Sequence, residues 1–174
     1  MRKEEKLKFL KIAISCLRKE GDNRPIISPS VPTEEDIKAI NISLKNEEVD
    51  EELLKKFFPM AYEGVTKHNI FEYFFFAHNS IIRKLERYTK DKLFDWCTAY
   101  PAKIISKENS KWLVENVDGK RIITDSECYP KIICETNLKE GNKVILHREK
   151  ISLVLNNEDF EKAIYCYNKF KGVK

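Results

Sequence analysis

The sequence predicts an α+β protein: an N-terminal helical region over 1–92, then a small closed β-barrel with a closing helix over 93–174. Three observations predict this division. Apolar residues recur at intervals of three and four through the first ninety positions. From 93 onward short β-branched runs alternate with turn signals. Asn156 or Asn157 then caps a last amphipathic segment.

The first helix is expected over residues 4–19, with Leu7, Leu10, Ile14 and Leu17 on one stripe and Gly21 as its stop. A connector over about 22–32 follows, because Pro25, Pro29 and Pro32 forbid a helix and favour extended backbone. Thr33 and Asp36 form an acidic capping box ahead of Ile37, Ile40 and Leu44. A further helix begins near Val49, carries Leu53, Leu54, Phe57 and Phe58, and is broken or kinked at Pro59. Gly64 reads as another turn. The most aromatic stretch, 68–79, places Phe71, Phe74, Phe75, His78, Ile82 and Leu85 on one helical face and continues to about Leu93.

Beyond Leu93 strands are expected at 102–106, 111–117, 121–124, 131–134, 143–147 and 151–155. Asp118-Gly119 is the strongest hairpin signal among the turns between them. Five or six short strands in so few residues suggest a closed barrel. Phe160, Ile164 and Tyr167 give the final helix a stripe to flank or plug it.

Composition narrows the function classes. The net charge of +4 is spread evenly, with 18 basic and 16 acidic residues over 1–92 and 14 and 12 over 93–174. No basic arm or face is apparent, which argues against a dedicated nucleic-acid binder. Five cysteines without CxxC spacing argue against a disulfide framework or a four-thiolate zinc site, and fit a reducing cytoplasm. No stretch reaches the apolar length of a membrane span, so no membrane partner is expected. Phosphate loops, GxSxG and HExxH are missing, so nothing points to a hydrolase or kinase, and a non-enzymatic role is expected.

The residues that carry chemistry cluster around Asp95-Trp96-Cys97-Thr98-Ala99-Tyr100-Pro101-Ala102-Lys103. Cys97 has two readings: a buried small hydrophobe, or a thiolate that binds something. A thiolate needs a nearby cation or metal, and Lys103, His147 or Arg148 are the candidates. His147 ends a strand beside Arg148 and Glu149 and is expected near the surface, where a solvated histidine is the alternative to a ligand. His78, on the aromatic face, reads as a satisfied core histidine, and Phe74–Phe76 as core or interface.

The segment from Trp96 to Lys171 resembles the HypC/HupF family of hydrogenase-maturation chaperones. The likeness rests on Cys97 followed by Pro101 and Lys103 at the entrance to a strand, on Gly141-Asn142-Lys143-Val144-Ile145-Leu146-His147, and on Ile151–Leu155 leading into the capped helix. The whole chain is similar to an uncharacterised prokaryotic family in which a helical region precedes such a barrel. The resemblance implies an OB-like barrel and a metallocofactor-assembly chaperone or adaptor. It implies that Cys97, with His147, contacts an iron centre carrying cyanide and carbon monoxide, supported by Pro101 and Lys103. The implied partners are a hydrogenase large-subunit precursor or a HypD-like maturation protein. Apart from the resemblance, Trp96, Phe74 and His78 are candidates for docking a partner. Unlike the family's N-terminal cysteine, Cys97 is internal. The alternatives are a nucleic-acid-binding OB-type module and a protein-interaction module without a ligand.

Overall fold

The structure, a computed structural model, describes residues 1–21, 28–89 and 97–172 (backbone only for 87–89). Residues 22–27 of the expected connector, the expected helix end near Leu93, and Trp96 lie outside the described residues.

The helical region opens with α1 (Lys3–Ala13), which tightens into a 3₁₀ turn at Ile14–Cys16 instead of continuing to residue 19. Its C-terminal carbonyls are taken by side chains from the second half of the chain, which ends the helix early. The capping box forms as expected: Thr33 Oγ1 accepts from the Asp36 N–H at 3.2 Å, and the Asp36 carboxylate accepts from the Thr33 N–H at 3.0 Å. It opens α2 (Glu34–Asn46). Helix α3 (Glu51–Phe57) stops before Pro59, which opens α4 (Pro59–Lys67) at its first position, where a missing N–H costs nothing.

Gly64 is not a turn but lies inside α4. A Cβ there would stand 2.1 Å from the Tyr73 ring, so glycine is the residue that lets α4 lie against the aromatic stretch. That stretch is a π-helical segment (Glu72–His78) running straight into α5 (Asn79–Thr89). Phe71 and Phe75 stack at 6.3 Å, and Tyr73 meets Phe74 edge-on at 5.1 Å. Such wide turns are rare and often mark functional positions.

The strands lie close to their expected places, but they do not close a barrel. Five of them, β1 (Ala99–Glu108), β2 (Lys111–Asn116), β3 (Arg121–Thr124), β6 (Lys143–His147) and β7 (Lys150–Leu155), form an open antiparallel sheet of order β3-β2-β1-β6-β7. The short β4 (Glu127–Tyr129) and β5 (Ile132–Ile133) leave it and pair only with each other. The edges β3 and β7 approach at one end, where the Ile151 N–H donates to the Asp125 carbonyl at 2.9 Å. Short β-branched runs specify strands but not whether the first and last of them pair, and this is where the barrel expectation failed.

One sheet face covers a small core of its own, built on Ala102, Ile104, Val114, Val144, Leu146 and Ile151. The other face joins a larger core in which Phe9, Leu10, Phe58 and Phe74 of the helices meet Ala99, Ile145 and Leu153 of the strands. Buried on both faces, β6 therefore reads as a continuous apolar run. Helix α6 (Asn157–Lys171), capped by Asn156, packs Phe160, Ala163 and Tyr167 into the same core. Lys8 with Asp159 (2.7 Å) and Lys11 with Glu135 (3.0 Å) tie α1 to the C-terminal half. The segments 1–92 and 93–174 thus share one hydrophobic interior.

Gly64→Ala tests the tight approach. In an exposed helix this change adds about 1 kcal/mol of stability. Here the clash with Tyr73 is expected to reverse the sign and cost about 1–3 kcal/mol, read from denaturant unfolding. A more stable variant would show that α4 and the aromatic segment are not in contact.

Candidate metal centre

Four side chains from four separate elements converge in the interior. Cys16 comes from the 3₁₀ turn after α1, His78 from the end of the π-helical segment, Cys97 from two residues before β1, and His147 from the last position of β6. Their sulfur and ring-nitrogen atoms all lie within 4.8 Å of one another. Cys16 Sγ and His147 Nε2 are 3.5 Å apart, and the two imidazoles stand perpendicular with centroids 5.0 Å apart. Relative exposures are 2%, 1%, 9% and 0%, so the cluster is closed to bulk solvent.

Backbone structure places each group. In the β1–β6 ladder His147 stands opposite Ala99, which brings it beside the segment carrying Cys97. Asn79 locks His78 to the same point. Its amide donates to the Ala99 carbonyl (3.1 Å) and the Phe75 carbonyl (3.2 Å), while its Oδ1 accepts from the Ala99 N–H (3.0 Å). The side chain of Asn79 thereby pairs with Ala99 as a neighbouring strand residue would.

The outer ring nitrogens are also committed. His147 Nδ1 faces the Ile12 carbonyl at 2.8 Å, and His78 Nδ1 faces Asn79 Oδ1 at 3.3 Å. Both partners can only accept, so each Nδ1 carries a proton, and a neutral ring then has its lone pair on Nε2. His78 Nε2 has no hydrogen-bond partner and is fully buried, an arrangement that costs about 1–3 kcal/mol if nothing occupies its lone pair. Far from being a satisfied core histidine, His78 is one partner short.

The thiols divide a proton unequally. Contact with Cys16 first, and the neighbouring rings of His147 and His78 after it, hold the Cys97 thiol well below its ordinary range despite burial. The same contact with Cys97, together with burial, pushes Cys16 well up. Burial pushes His147 down, leaving a neutral imidazole. Two thiols pushed in opposite directions are therefore enclosed with an imidazole whose charged form is disfavoured, and a cation, Arg148, is close enough to favour ionisation of Cys16.

This donor set suits a tetrahedral soft or borderline metal. Zn–S near 2.3 Å and Zn–N near 2.0–2.1 Å at tetrahedral angles imply S···N separations of about 3.5–3.6 Å, the separation already present between Cys16 and His147. The outer Nδ1–H bonds to a carbonyl and an amide oxygen are the orienting contacts that metal-bound histidines make. It is the one cluster of potential metal ligands among the described residues.

The positions singled out in the sequence fare differently. Cys97 and His147 come together, and His147 is buried, not near the surface. Phe74 and His78 are also buried: the Phe74 ring sits 5.9 Å from His78 and 5.8 Å from His147, walling the cluster. Pro101 is buried in β1 opposite Ile145. Lys103 is exposed, about 20 Å along an extended strand from Cys97, and takes no part. Cys16 was not singled out at all. It lies 62 residues before His78, and no local spacing announces it.

Comparison with known proteins finds no matching family model, curated protein or solved structure.

Asn79→Ala removes four buried hydrogen bonds, one of them to His78, and takes the Asn79 partner from both Ala99 backbone groups. A stability loss of about 2–4 kcal/mol is expected from denaturant unfolding. A loss under about 0.5 kcal/mol would show that Asn79 does not join the helical region to β1.

Proposed function

We propose that the protein is a metal-binding accessory protein that holds one zinc-like divalent ion on Cys16, His78, Cys97 and His147. The observation that carries this reading is the fully buried, unpartnered Nε2 of His78 in a ring whose ligand nitrogen lies within 4.8 Å of two sulfurs and a nitrogen of His147. A metal would satisfy all four donors together. Four protein ligands with little solvent access are the pattern of a structural site, in which metal binding is coupled to the stability of the fold.

The cysteine-bearing segment supports a second reading, in which the same residues take up an iron centre transiently during cofactor assembly. Cys97 favours it, being the most exposed of the four and the thiol whose pKa its neighbours lower. That role would require Cys97 to act as the point of exchange with a hydrogenase precursor or a maturation partner.

Elemental analysis of the full chain purified without chelator is expected to give one metal per chain, zinc under the first reading and iron under the second. Alanine at Cys16, His78, Cys97 or His147 is expected to abolish retention. A strong chelator is expected to lower the melting temperature by roughly 8–16 °C, the shift for a ligand present at a thousand times its dissociation constant. Metal-free protein whose melting temperature ignores both chelator and added zinc would refute metal binding.

A further inference from the structure

We infer that a second site, a cleft of about 270 Å³ beside the metal cluster, binds a small phosphate-type oxyanion. It lies where the 3₁₀ turn meets β3 and the β6–β7 hairpin, and Ser15, Lys19, Lys111, Thr124, Arg148 and Lys150 contribute to its lining. The inference does not rest on the metal reading, since no metal ligand lines the cleft.

Charge is the first support. Four cations line the cleft, and its two acids are already engaged: Asp125 with Lys150 at 2.7 Å, and Glu149 with Lys120 at 3.6 Å. Lys19 and Lys111 are exposed and have no carboxylate within 4.0 Å among the described residues. Lys111 acts on Asp125 only at a distance, behind the closer Lys150, so the cleft holds four cations against two acids.

Buried polar groups are the second. Ser15 is 3% exposed, and its hydroxyl has no hydrogen-bond partner. A buried hydroxyl without a partner is uncommon and calls for an unseen acceptor. The Arg148 guanidinium, itself 7% exposed, is fixed beside it by donating from Nη1 to the Ser15 carbonyl at 2.6 Å. Arg148 and Glu149 form the two-residue hairpin loop at φ +53° and +60°, a left-handed conformation that non-glycine residues adopt at a cost. The β6–β7 turn holds that conformation with Arg148 at the edge of the cleft.

The combination selects the ligand. A planar guanidinium, two exposed ammonium groups and a hydroxyl donor match an anion with several oxygens better than a lone carboxylate. The volume falls below the range for drug-sized ligands, leaving space for inorganic phosphate or a small phosphomonoester.

Calorimetric titration of the full chain at pH 7.5 and matched ionic strength tests the site with inorganic phosphate, glycerol phosphate and chloride. Saturable binding of phosphate in the submillimolar range is expected, with no saturable response to chloride. Tighter binding of glycerol phosphate would identify a phosphomonoester as the natural occupant, and tighter binding of inorganic phosphate the free ion. The Lys19→Gln, Lys111→Gln double variant changes only exposed side chains and is expected to weaken binding at least tenfold. Ser15→Ala is expected to weaken it severalfold, with metal content unchanged. Phosphate that behaves as chloride does, or binding indifferent to the double lysine variant, would overturn the assignment.

Discussion

Four carbonyl groups at and just beyond the end of the first helix, two in its last turn, one in the 3₁₀ turn and one after it, hold the two halves of the chain together. The C-terminal carbonyls of a helix have no partner within it and must find one elsewhere. Here the partners come from more than a hundred residues away. The Cys134 thiol reaches the Lys11 carbonyl at 3.5 Å, His147 the Ile12 carbonyl at 2.8 Å, Arg148 the Ser15 carbonyl at 2.6 Å and Tyr129 the Arg18 carbonyl at 3.0 Å. This capping sets the length of α1, turns Cys16 inward through the 3₁₀ turn, and fixes the proton of His147 on its outer nitrogen. The sheet can dock on the helical region in few other positions without leaving these buried groups unpaired.

The same contacts explain how a polar cluster survives among Phe74, Tyr73 and the strand side chains. Two imidazoles and two thiols are a poor filling for an apolar interior unless their lone pairs are used. The helix C-terminus contributes partial negative charge, which disfavours a second thiolate and favours a cation. A divalent ion would meet both conditions by binding both sulfurs as thiolates and giving the Nε2 of His78 a partner. Without one, the interior would retain an unpaired nitrogen, costly at low dielectric. The large apolar core shared by both segments gives the fold a source of stability beyond the metal, unlike small domains that are unfolded without one.

Much of the fold was legible in the sequence, for local reasons. The Thr33–Asp36 box, the cap at Asn156 and the β-branched runs of β1, β2, β6 and β7 are encoded within a few residues of where they act. Sheet closure was not, because it depends on whether β3 meets β7, and β4 and β5 depart to pair by themselves. Gly64 read as a turn because glycine signals conformational freedom, whereas its role is to leave room for Tyr73. At the site, Cys97 and His147 could be singled out through motif resemblance. Cys16 and His78 could not, since ligands 62, 19 and 50 residues apart carry no spacing signature. The one weak signal was the polar pair His78-Asn79 within an otherwise apolar helical face.

X-ray absorption at the zinc edge on the zinc-loaded full chain tests the central claim most directly, because it reads donor identity and distance together. Coordination by Cys16, His78, Cys97 and His147 predicts two sulfur neighbours near 2.3 Å, two nitrogens at about 2.0–2.1 Å, and imidazole outer-shell scattering. A shell of oxygen and nitrogen donors without sulfur would contradict it, placing the metal elsewhere and leaving the buried cluster without an occupant.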